Sequence, residues 1–329
     1  MDSQKKSEWI ERILAGDFRA VARLMTLVEN GSRDAIPFLR ELFRHTGRCF
    51  TVGITGAPGA GKSTLVDRLA ESYRAAGKKV GIIAVDPTSP FTGGAILGDR
   101  IRMQSRSLDP GTFIRSMATR GHIGGLTRTT ADIVTVMDAA GFDVVLLETV
   151  GVGQGEVEVA RMADATVVLL VPGMGDDVQA MKAGIMEIAD IFVINKADHP
   201  GADQTEAELR ALLSLGPRSD GWNPSIARAV ASEGKGIEEC TQAIEECRLF
   251  GSASEMRRDA KVRAEKERML ELACMQARED LLNDPEAASQ IEELAIRVVS
   301  RRLDPYTAAE SVARLHAERH PGRGLTQDT

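Results

Sequence analysis

The sequence has few cysteines and no long apolar run. Its four cysteines, Cys49, Cys240, Cys247 and Cys274, form no CxxC pair, which argues against a structural zinc site and against the disulfide framework of a small secreted protein. No stretch approaches the roughly 20 apolar residues that cross a bilayer. The charged amino terminus also has no apolar segment of signal-peptide length. These absences predict a soluble, cytoplasmic protein with no membrane partner.

The sequence also has no excess of positive charge and few aromatic residues. The 41 Lys and Arg residues are outnumbered by 48 Asp and Glu residues, for a net charge of −7. Such a chain has no general attraction for nucleic-acid phosphates, so we expect no nucleic-acid partner. Because only 4% of the 329 residues are aromatic, we expect a core of aliphatic side chains. The length is enough for one large α/β domain with helical additions.

The apolar pattern divides the chain into three parts. Residues 7–46 have a helical periodicity that predicts two or three short helices, and the charge-rich residues 255–283 begin a second helical region. Between them, short apolar runs alternate with helical stretches. Such runs indicate strands buried on both faces of a mainly parallel sheet, the fold class α/β. The runs lie at 49–54, 80–85, 112–114, 144–147, 166–171, 191–194 and 226–231.

We therefore predict an N-terminal helical extension at 1–46, an α/β nucleotide domain at 47–250 and a C-terminal helical arm at 251–329. Asp-Pro pairs at 284–285 and 304–305 predict the starts of two further helices in the arm. A long charged helix beyond a complete α/β domain suits packing against the parent domain or contact with a second copy. The residues of the arm leave both open.

Residues 56–63 read GAPGAGKS, the phosphate-binding pattern G-x-x-x-x-G-K-[ST]. The pattern stands between an apolar run and a helical stretch, where backbone N–H groups and the helix N-terminus bind phosphates. In it, Lys62 reaches the β- and γ-phosphates and Ser63 offers its hydroxyl to Mg²⁺. The predicted nucleotide-binding residues here are Gly56, Ala57, Pro58, Gly59, Ala60, Gly61, Lys62, Ser63 and Thr64.

Residues 195–198 read NKAD and follow another apolar run. The carboxylate of Asp198 accepts hydrogen bonds only, which matches the two donors on the Watson–Crick edge of guanine and selects against adenine. Asn195 can bond the base or hold the phosphate loop, and the stem of Lys196 can cover the base face. After the last run, the backbone N–H groups of a further turn would contact the guanine oxygen. That turn comprises Ala231, Ser232 and Glu233.

Acidic residues at strand ends complete the predicted site. Glu148 ends a buried run, and Gly151, three residues later, is a candidate contact for the γ-phosphate. Asp86 ends another run, and Asp99 follows a Gly-Gly pair that favours a loop able to change shape with the nucleotide. Turn or cap roles remain the alternatives for Glu148 and Asp86. The predicted metal ligands are Ser63, Asp86, Asp99 and Glu148, and the predicted catalytic residues are Lys62, Asp86, Asp99 and Glu148. A further loop at 172–184, with Asp176 and Lys182, is either a moving reporter of nucleotide state or a capped helix start.

Taken in order, GAPGAGKST, VDPTSP, GGAILGDR, ETVGVGQGE, PGMGDD and NKAD resemble the motifs of the MeaB/ArgK family of P-loop GTPases, of the SIMIBI type. The stretch DPYTAAE at 304–310 adds to a resemblance that covers about residues 8–318. It implies a homodimer built through the C-terminal arm, with GTP/GDP and Mg²⁺ as ligands. It also implies a chaperone of adenosylcobalamin-dependent methylmalonyl-CoA mutase, or of a related acyl-CoA mutase. The resemblance further implies that the chaperone hydrolyses GTP slowly by itself and that the mutase accelerates this hydrolysis. The loop at 172–184 matches the family's coupling switch.

Two other function classes use the same phosphate loop. A metallochaperone GTPase for metal-centre assembly should carry paired cysteines or a Cys/His cluster near the nucleotide, which this sequence lacks. A small-molecule kinase would leave NKAD unexplained. The expected reaction is therefore GTP plus water giving GDP and phosphate, with no residue in the position of the glutamine that orients water in small GTPases.

Overall fold

The computed structural model describes residues 3–86, 109–118, 123–149, 162–173, 188–214, 218 and 220–319. The predicted α/β fold is confirmed: these residues contain a seven-stranded sheet flanked by helices. Each apolar run of the sequence corresponds to one strand. The strands are β1 (Phe50–Gly56), β2 (Val80–Asp86), β3 (Thr112–Ala118), β4 (Val144–Thr149), β5 (Ala165–Leu170), β6 (Ile191–Asn195) and β7 (Ser225–Ala229).

The order of the strands shows where the winding of the chain reverses in the sheet. In space they run β3-β2-β4-β1-β5-β6-β7, and all neighbouring strands are parallel. The chain builds one side of the sheet from β2, β3 and β4 and the other from β5, β6 and β7. Ligands of open parallel sheets bind at the carboxyl ends of strands where the winding reverses. The reversal lies at β1, whose carboxyl end carries the phosphate-binding pattern.

Helices flank the sheet, and the short N-terminal helices that the periodicity predicts are present. The described helices are α1 (Ser3–Leu14), α2 (Phe18–Glu29), α3 (Ile36–Leu42), α4 (Lys62–Ala75), α5 (Ile123–Ala139), α6 (Ala202–Leu213), α7 (Ile237–Ala253), α8 (Glu255–Asn283), α9 (Pro285–Val299) and α10 (Pro305–Arg319). Short 3₁₀ turns occur at Arg33–Ala35, Phe43–His45 and Ala231–Glu233.

Two apolar clusters hold the central elements together, one of them with aromatic side chains such as Phe113 and Phe142. One joins α4 and α7 to the sheet and contains the buried side chains Leu65, Ile244 and Val167. The other joins α1, α2, α3 and α5 to the sheet and contains Leu24 and Val145. Burial of one such side chain contributes about 1.5–3 kcal/mol. The N-terminal helices therefore belong to the core of the unit that carries the sheet.

Strand β3 is longer than its apolar run of 112–114 predicts, because it is an edge strand with a polar residue in its middle. The guanidinium of Arg115 donates to Glu29 of α2 from Nε at 2.7 Å and from Nη2 at 2.6 Å. Side chains of an edge strand can be polar, since they need not be buried on both faces. The length of an apolar run therefore underestimates the length of such an edge strand.

Three aspartates, each placed just before a strand, set the register at the amino-terminal edge of the sheet. The carboxylates of Asp143, Asp164 and Asp190 accept hydrogen bonds of 2.7–2.8 Å from the backbone N–H groups of Lys79, Thr51 and Thr166. Their own N–H groups donate at 2.8–2.9 Å to the carbonyls of the same three residues. A one-residue slip would break both bonds of each pair and turn the side chains to the wrong face.

The chain divides into two compact units, Met1–Arg258 and Asp259–Thr329. In the second unit, α9 and α10 begin at the Pro of the two Asp-Pro pairs, as predicted. Asp284 accepts hydrogen bonds from the N–H groups of Glu286 and Ala287 at 3.0 and 3.2 Å. A carboxylate at this position stabilises the start of a helix.

Candidate functional site

The phosphate-binding pattern forms a tight turn between β1 and α4. Gly56, Gly59 and Gly61 have φ angles of +140°, +76° and +93°, a region that favours glycine. At Gly56 a Cβ atom would lie 2.5 Å from the carbonyl oxygen of Leu169, and at Gly61 it would lie 2.4 Å from the Nδ2 atom of Asn195. The turn therefore depends on glycine both for its backbone angles and for its close packing.

Lys62 is the first residue of α4 and is buried. Its Nζ atom donates to the carbonyls of Gly56 at 2.7 Å and Ala57 at 3.0 Å. The ammonium group is thus held inside the curve of the loop, beside the N-terminus of the helix. Both the cation and the helix dipole favour an anion at this position.

Ser63 and Glu148 meet although they are 85 positions apart in sequence. The Ser63 hydroxyl donates to Oε1 of Glu148, which is buried near the carboxyl end of β4. Strand pairing brings them together, because Glu148 pairs with Ile54 of β1 in the parallel register. Hydroxyl and carboxylate oxygens are the ligand types that Mg²⁺ prefers.

Asn195 joins the phosphate loop to the turn that follows β7. Its side chain is buried, with 3% exposure, and Nδ2 donates to the Ala60 carbonyl at 2.8 Å. Its Oδ1 atom accepts a hydrogen bond of 3.1 Å from the Ala231 N–H. Of the two roles open to Asn195 in the sequence, the structure contains the loop-holding one. Lys196 adds a second tie, from Nζ to the Gly59 carbonyl at 3.0 Å.

Asp198 differs from Asn195 in being open to solvent. Its side chain is 52% exposed, and its Oδ2 atom lies 4.0 Å from Nε2 of His199. The Ala197 N–H donates to the Ala229 carbonyl at 3.0 Å, which ties this segment to the end of β7. An accessible carboxylate thus lies next to a segment that is hydrogen-bonded to the sheet, as an acceptor for a base requires.

The turn Ala231–Glu233 has one backbone donor available for a ligand. The Ala231 N–H donates to Asn195, and the Glu233 N–H donates to the Val230 carbonyl at 2.9 Å. Within the described part of the chain, the Ser232 N–H has no acceptor. Of the three backbone N–H groups that the sequence offered as contacts for the guanine oxygen, only that of Ser232 remains available.

Several predicted residues lie outside the described residues. They are Asp99, Gly151 and the part of the 172–184 loop that contains Asp176 and Lys182. The backbone of Asp86 is described as the last residue of β2, but its side chain is not.

Sequence patterns gave no indication of Arg68, whose guanidinium contacts two carbonyls of the 231–233 turn. These contacts, at 3.2 and 3.3 Å, join residues more than 160 positions apart. Arg68 belongs to no motif, and helical periodicity indicates only that it lies on α4. A contact between two distant segments leaves no local signal in a single sequence.

The described residues contain no group of three or more His, Cys, Asp or Glu side chains that could hold a metal ion. Burial raises the pKa of Cys240 to about 12 and that of Cys247 to about 11. Burial thus favours the neutral thiol over the thiolate, which is the form that metals bind. The same residues contain no helix that is both long and apolar enough to span a membrane.

Comparison with known proteins gives a consistent result. The family model described as "Methylmalonyl Co-A mutase-associated GTPase MeaB" matches residues 21–290. A Pyrococcus horikoshii protein named as a candidate GTPase is 50% identical over 317 residues, which is 94% of this chain and 98% of the relative. The "Methylmalonic aciduria type A homolog, mitochondrial" of Caenorhabditis elegans is 33% identical over 337 residues. The matched region is 95% of this chain and 83% of the relative. The crystal structure of a protein titled LAO/AO transport system kinase superposes on this chain with a TM-score of 0.68 at 27% sequence identity. The superposition covers 96% of this chain and 98% of the chain in that crystal structure.

Proposed function

The chain belongs to the MeaB family of methylmalonyl Co-A mutase-associated GTPases, and we propose that its GTP hydrolysis times the action of a partner enzyme, an adenosylcobalamin-dependent acyl-CoA mutase. In this proposal the protein acts in the cytoplasm as a chaperone. It gates delivery of adenosylcobalamin to the mutase and protects or reactivates it. Methylmalonyl-CoA mutase is the proposed client, supported by the family description and by the name of the Caenorhabditis elegans relative.

The observation that carries the proposed nucleotide site is the double contact of Asn195. One side chain binds the phosphate loop at Ala60 and the base-side turn at Ala231. It therefore sets the distance between the site proposed for the phosphates and the site proposed for the base. Asp198, exposed three residues later, supplies the acceptors that fit the N1–H and exocyclic amine of guanine.

In the proposed reaction, the backbone N–H groups of Gly59, Gly61, Lys62 and Ser63 hold the phosphates while water attacks the γ-phosphorus; Pro58 has no N–H, and that of Ala60 donates to the Ala57 carbonyl. The bond from the γ-phosphorus to the bridging oxygen breaks, and GDP and phosphate leave. Lys62 supplies a positive charge where negative charge accumulates on the phosphate oxygens. One donor or Arg supplied by a partner can raise the hydrolysis rate of such sites by a factor on the order of 10³–10⁵. In this proposal GTP hydrolysis is therefore slow until the partner enzyme binds.

The donor set at the loop fits a magnesium ion. Ser63 and Glu148 contribute a hydroxyl and a buried carboxylate in direct contact, and hard oxygens are what Mg²⁺ requires. We propose Asp86 and Asp99 as the remaining protein ligands or water-holding residues, and Gly151 as a γ-phosphate contact. When bound, the ion would neutralise charge on the β- and γ-phosphate oxygens. The 172–184 loop is proposed to report nucleotide state to the mutase.

The proposed homodimer forms through the C-terminal arm, residues 251–329. In the unit Asp259–Thr329, large apolar side chains are left exposed, and Val299 and Tyr306 are each 84% exposed. Exposed apolar surface of this kind is covered by a partner in stable assemblies. The same property is shared by Val262, Met269, Leu270, Leu282 and Ile296.

The guanine assignment is tested by Asp198→Asn. The amide adds a donor that clashes with the guanine amine and suits the second carbonyl of xanthine. We expect GDP affinity to fall at least about 10-fold and xanthosine diphosphate affinity to rise, as measured by titration calorimetry. The control is Asp203→Asn, an exposed position in α6, which should change neither. Tight ADP binding by the natural protein, or unchanged GDP affinity in Asp198→Asn, would refute the assignment.

The partner is tested by measuring GTP hydrolysis with and without purified adenosylcobalamin-dependent mutases. We expect methylmalonyl-CoA mutase to raise the rate and to co-elute with the protein in a nucleotide-dependent manner. Isobutyryl-CoA and ethylmalonyl-CoA mutases serve as competing clients. If none of the mutases changes the rate or binds, the chaperone role fails and GTP hydrolysis stands without it.

A further inference from the structure

Arg68 connects the helix of the phosphate loop to the turn proposed to read the base. Its Nε atom donates to the Ala231 carbonyl at 3.2 Å, and Nη2 donates to the Ser232 carbonyl at 3.3 Å. The remaining nitrogen, Nη1, donates to Oε2 of Glu71 at 3.0 Å. All three guanidinium nitrogens therefore have acceptors, and two of these acceptors are consecutive backbone carbonyls.

The Ala231 carbonyl accepts two hydrogen bonds, from Arg68 and from the Gly234 N–H, each at 3.2 Å, and together these contacts set the direction of the Ser232 N–H. The two groups belong to the same peptide unit, which is planar, and no cis peptide bond occurs among the described residues. In a trans peptide the C=O and N–H bonds point in opposite directions. Because Arg68 holds the oxygen towards α4, the Ser232 N–H points away from α4.

The turn is held from a second side by Asn195, which binds the Ala231 N–H at 3.1 Å. Two successive peptide units therefore have one atom each bound to a side chain from another element. The peptide between Ala231 and Ser232 carries the one N–H of this turn that has no acceptor among the described residues, and its carbonyl is held by Arg68 from outside the turn and by the Gly234 N–H from within it. A cation at the carbonyl also polarises that peptide and strengthens the N–H as a donor.

We propose that Arg68 is a positioning residue for guanine recognition, which aims the Ser232 N–H at the O6 atom of the base. Arg68 lies in neither the phosphate-binding pattern nor NKAD, so the inference names a determinant of base selectivity outside both motifs. It rests on the proposed GTP site. The forked guanidinium matters, because a lysine ammonium cannot bind two carbonyls in this fixed geometry.

The test compares GDP with 6-thioguanosine diphosphate, which differs at the atom in position 6 and keeps the two donors proposed to face Asp198. Sulfur is a weaker hydrogen-bond acceptor than oxygen, so the natural protein should bind GDP more tightly. In Arg68→Ala we expect this preference to shrink about 3- to 10-fold, the value of one hydrogen bond. Arg68→Lys should lose most of the same preference. Affinities are measured by calorimetry and melting temperatures are recorded in parallel.

The matched control is Arg248→Ala on α7. Arg248 also forms an exposed ion pair one helical turn away, with Glu245 at 2.6 Å, and should leave the preference unchanged. An equal loss of affinity for both nucleotides in Arg68→Ala would overturn the proposal, since that is the effect of a structural role. No preference in the natural protein would refute O6 reading by this turn. Absence of GDP binding altogether would instead refute the proposed GTP site.

Discussion

Arg257 and Asp190 form an ion pair at the end of the sheet opposite the phosphate loop, with 2.7 Å between Nη2 and Oδ1. Both side chains are buried or nearly so. Asp190 also accepts the Thr166 N–H at 2.8 Å, and the Arg257 guanidinium lies 5.7 and 5.2 Å from the ring centres of Trp222 and Phe250. One pair thus links the register of β5 to the first turn of α8.

Replacing Arg257 with Met should destabilise the unit Met1–Arg258 by about 2–4 kcal/mol, because it leaves a buried carboxylate with one cation fewer. Arg218, at 3.3 Å from Asp190, limits the loss. Urea unfolding followed by circular dichroism measures the change. Arg210→Met removes an exposed pair with Glu206 and should cost less than about 1 kcal/mol. Equal losses in the two variants would contradict the importance of burial.

Two glycines of the phosphate loop should respond differently to Ala. In Gly56→Ala the new Cβ meets the Leu169 carbonyl at 2.5 Å, so β5 must move and stability should fall by more than about 2 kcal/mol. Gly59→Ala has no atom within 4 Å and should lose only about 1 kcal/mol from its left-handed backbone. Urea unfolding without nucleotide separates the two effects. If Gly59→Ala were as destabilising as Gly56→Ala, close packing would not be the cause.

Asn195→Ala should lower GDP affinity by about 10- to 100-fold, the value of two lost hydrogen bonds, one to each half of the site. Lys196→Ala is the comparison, since it removes one exposed bond to Gly59 and should cost about 2- to 5-fold. Calorimetric titration with GDP measures both. Near-normal affinity in Asn195→Ala would show that the two halves are held together by other contacts.

The pair between Arg74 and Asp109 predicts a pH dependence of stability. The Arg74 guanidinium, which donates from Nε at 2.7 Å, holds the pKa of Asp109 well below its usual range. A carboxyl whose pKa is lower in the folded state stabilises above the unfolded pKa of about 3.9, and this contribution disappears as the pH falls towards the folded pKa. Asp109→Asn should therefore cost about 1 kcal/mol at pH 7 and progressively less below about pH 4.

Urea unfolding of both proteins between pH 7 and pH 3.5 tests this pH dependence. In an Arg74→Ala background the effect of Asp109→Asn should be smaller and less dependent on pH, because the Gly111 N–H and the Thr112 hydroxyl still donate to the carboxylate. A difference that stayed constant across the range in the natural background would rule out the ion pair as its source.

Local patterns predicted most of the fold. Strands such as β6 are continuous apolar runs because both faces are buried, and Asp284 and Asp304 start helices because their carboxylates satisfy N–H groups within the next turn. The phosphate loop was identifiable for the same reason, since its glycines, Lys62 and Ser63 are neighbours in sequence. Strand β3 was underestimated because Arg115 is polar and pairs with a residue of α2.

Contacts between distant segments could not be predicted in this way. Neither the hold of Arg68 on the 231–233 turn nor the pair of Arg257 with Asp190 has a spacing that marks it. The sequence left Asn195 with two possible roles, and the loop-holding one depends on β1 and β6 lying on the same sheet with β5 between them.

The phosphate loop and the carboxylate of Asp198 could be identified from the printed residues alone, because each group needs only its neighbours in the chain to be recognised. The way these segments are joined became visible only in the folded chain: Ser63 to Glu148, Asn195 to Ala60 and Ala231, and Arg68 to the turn Ala231–Glu233. The order of parallel strands, and not spacing along the chain, determines which loop ends meet.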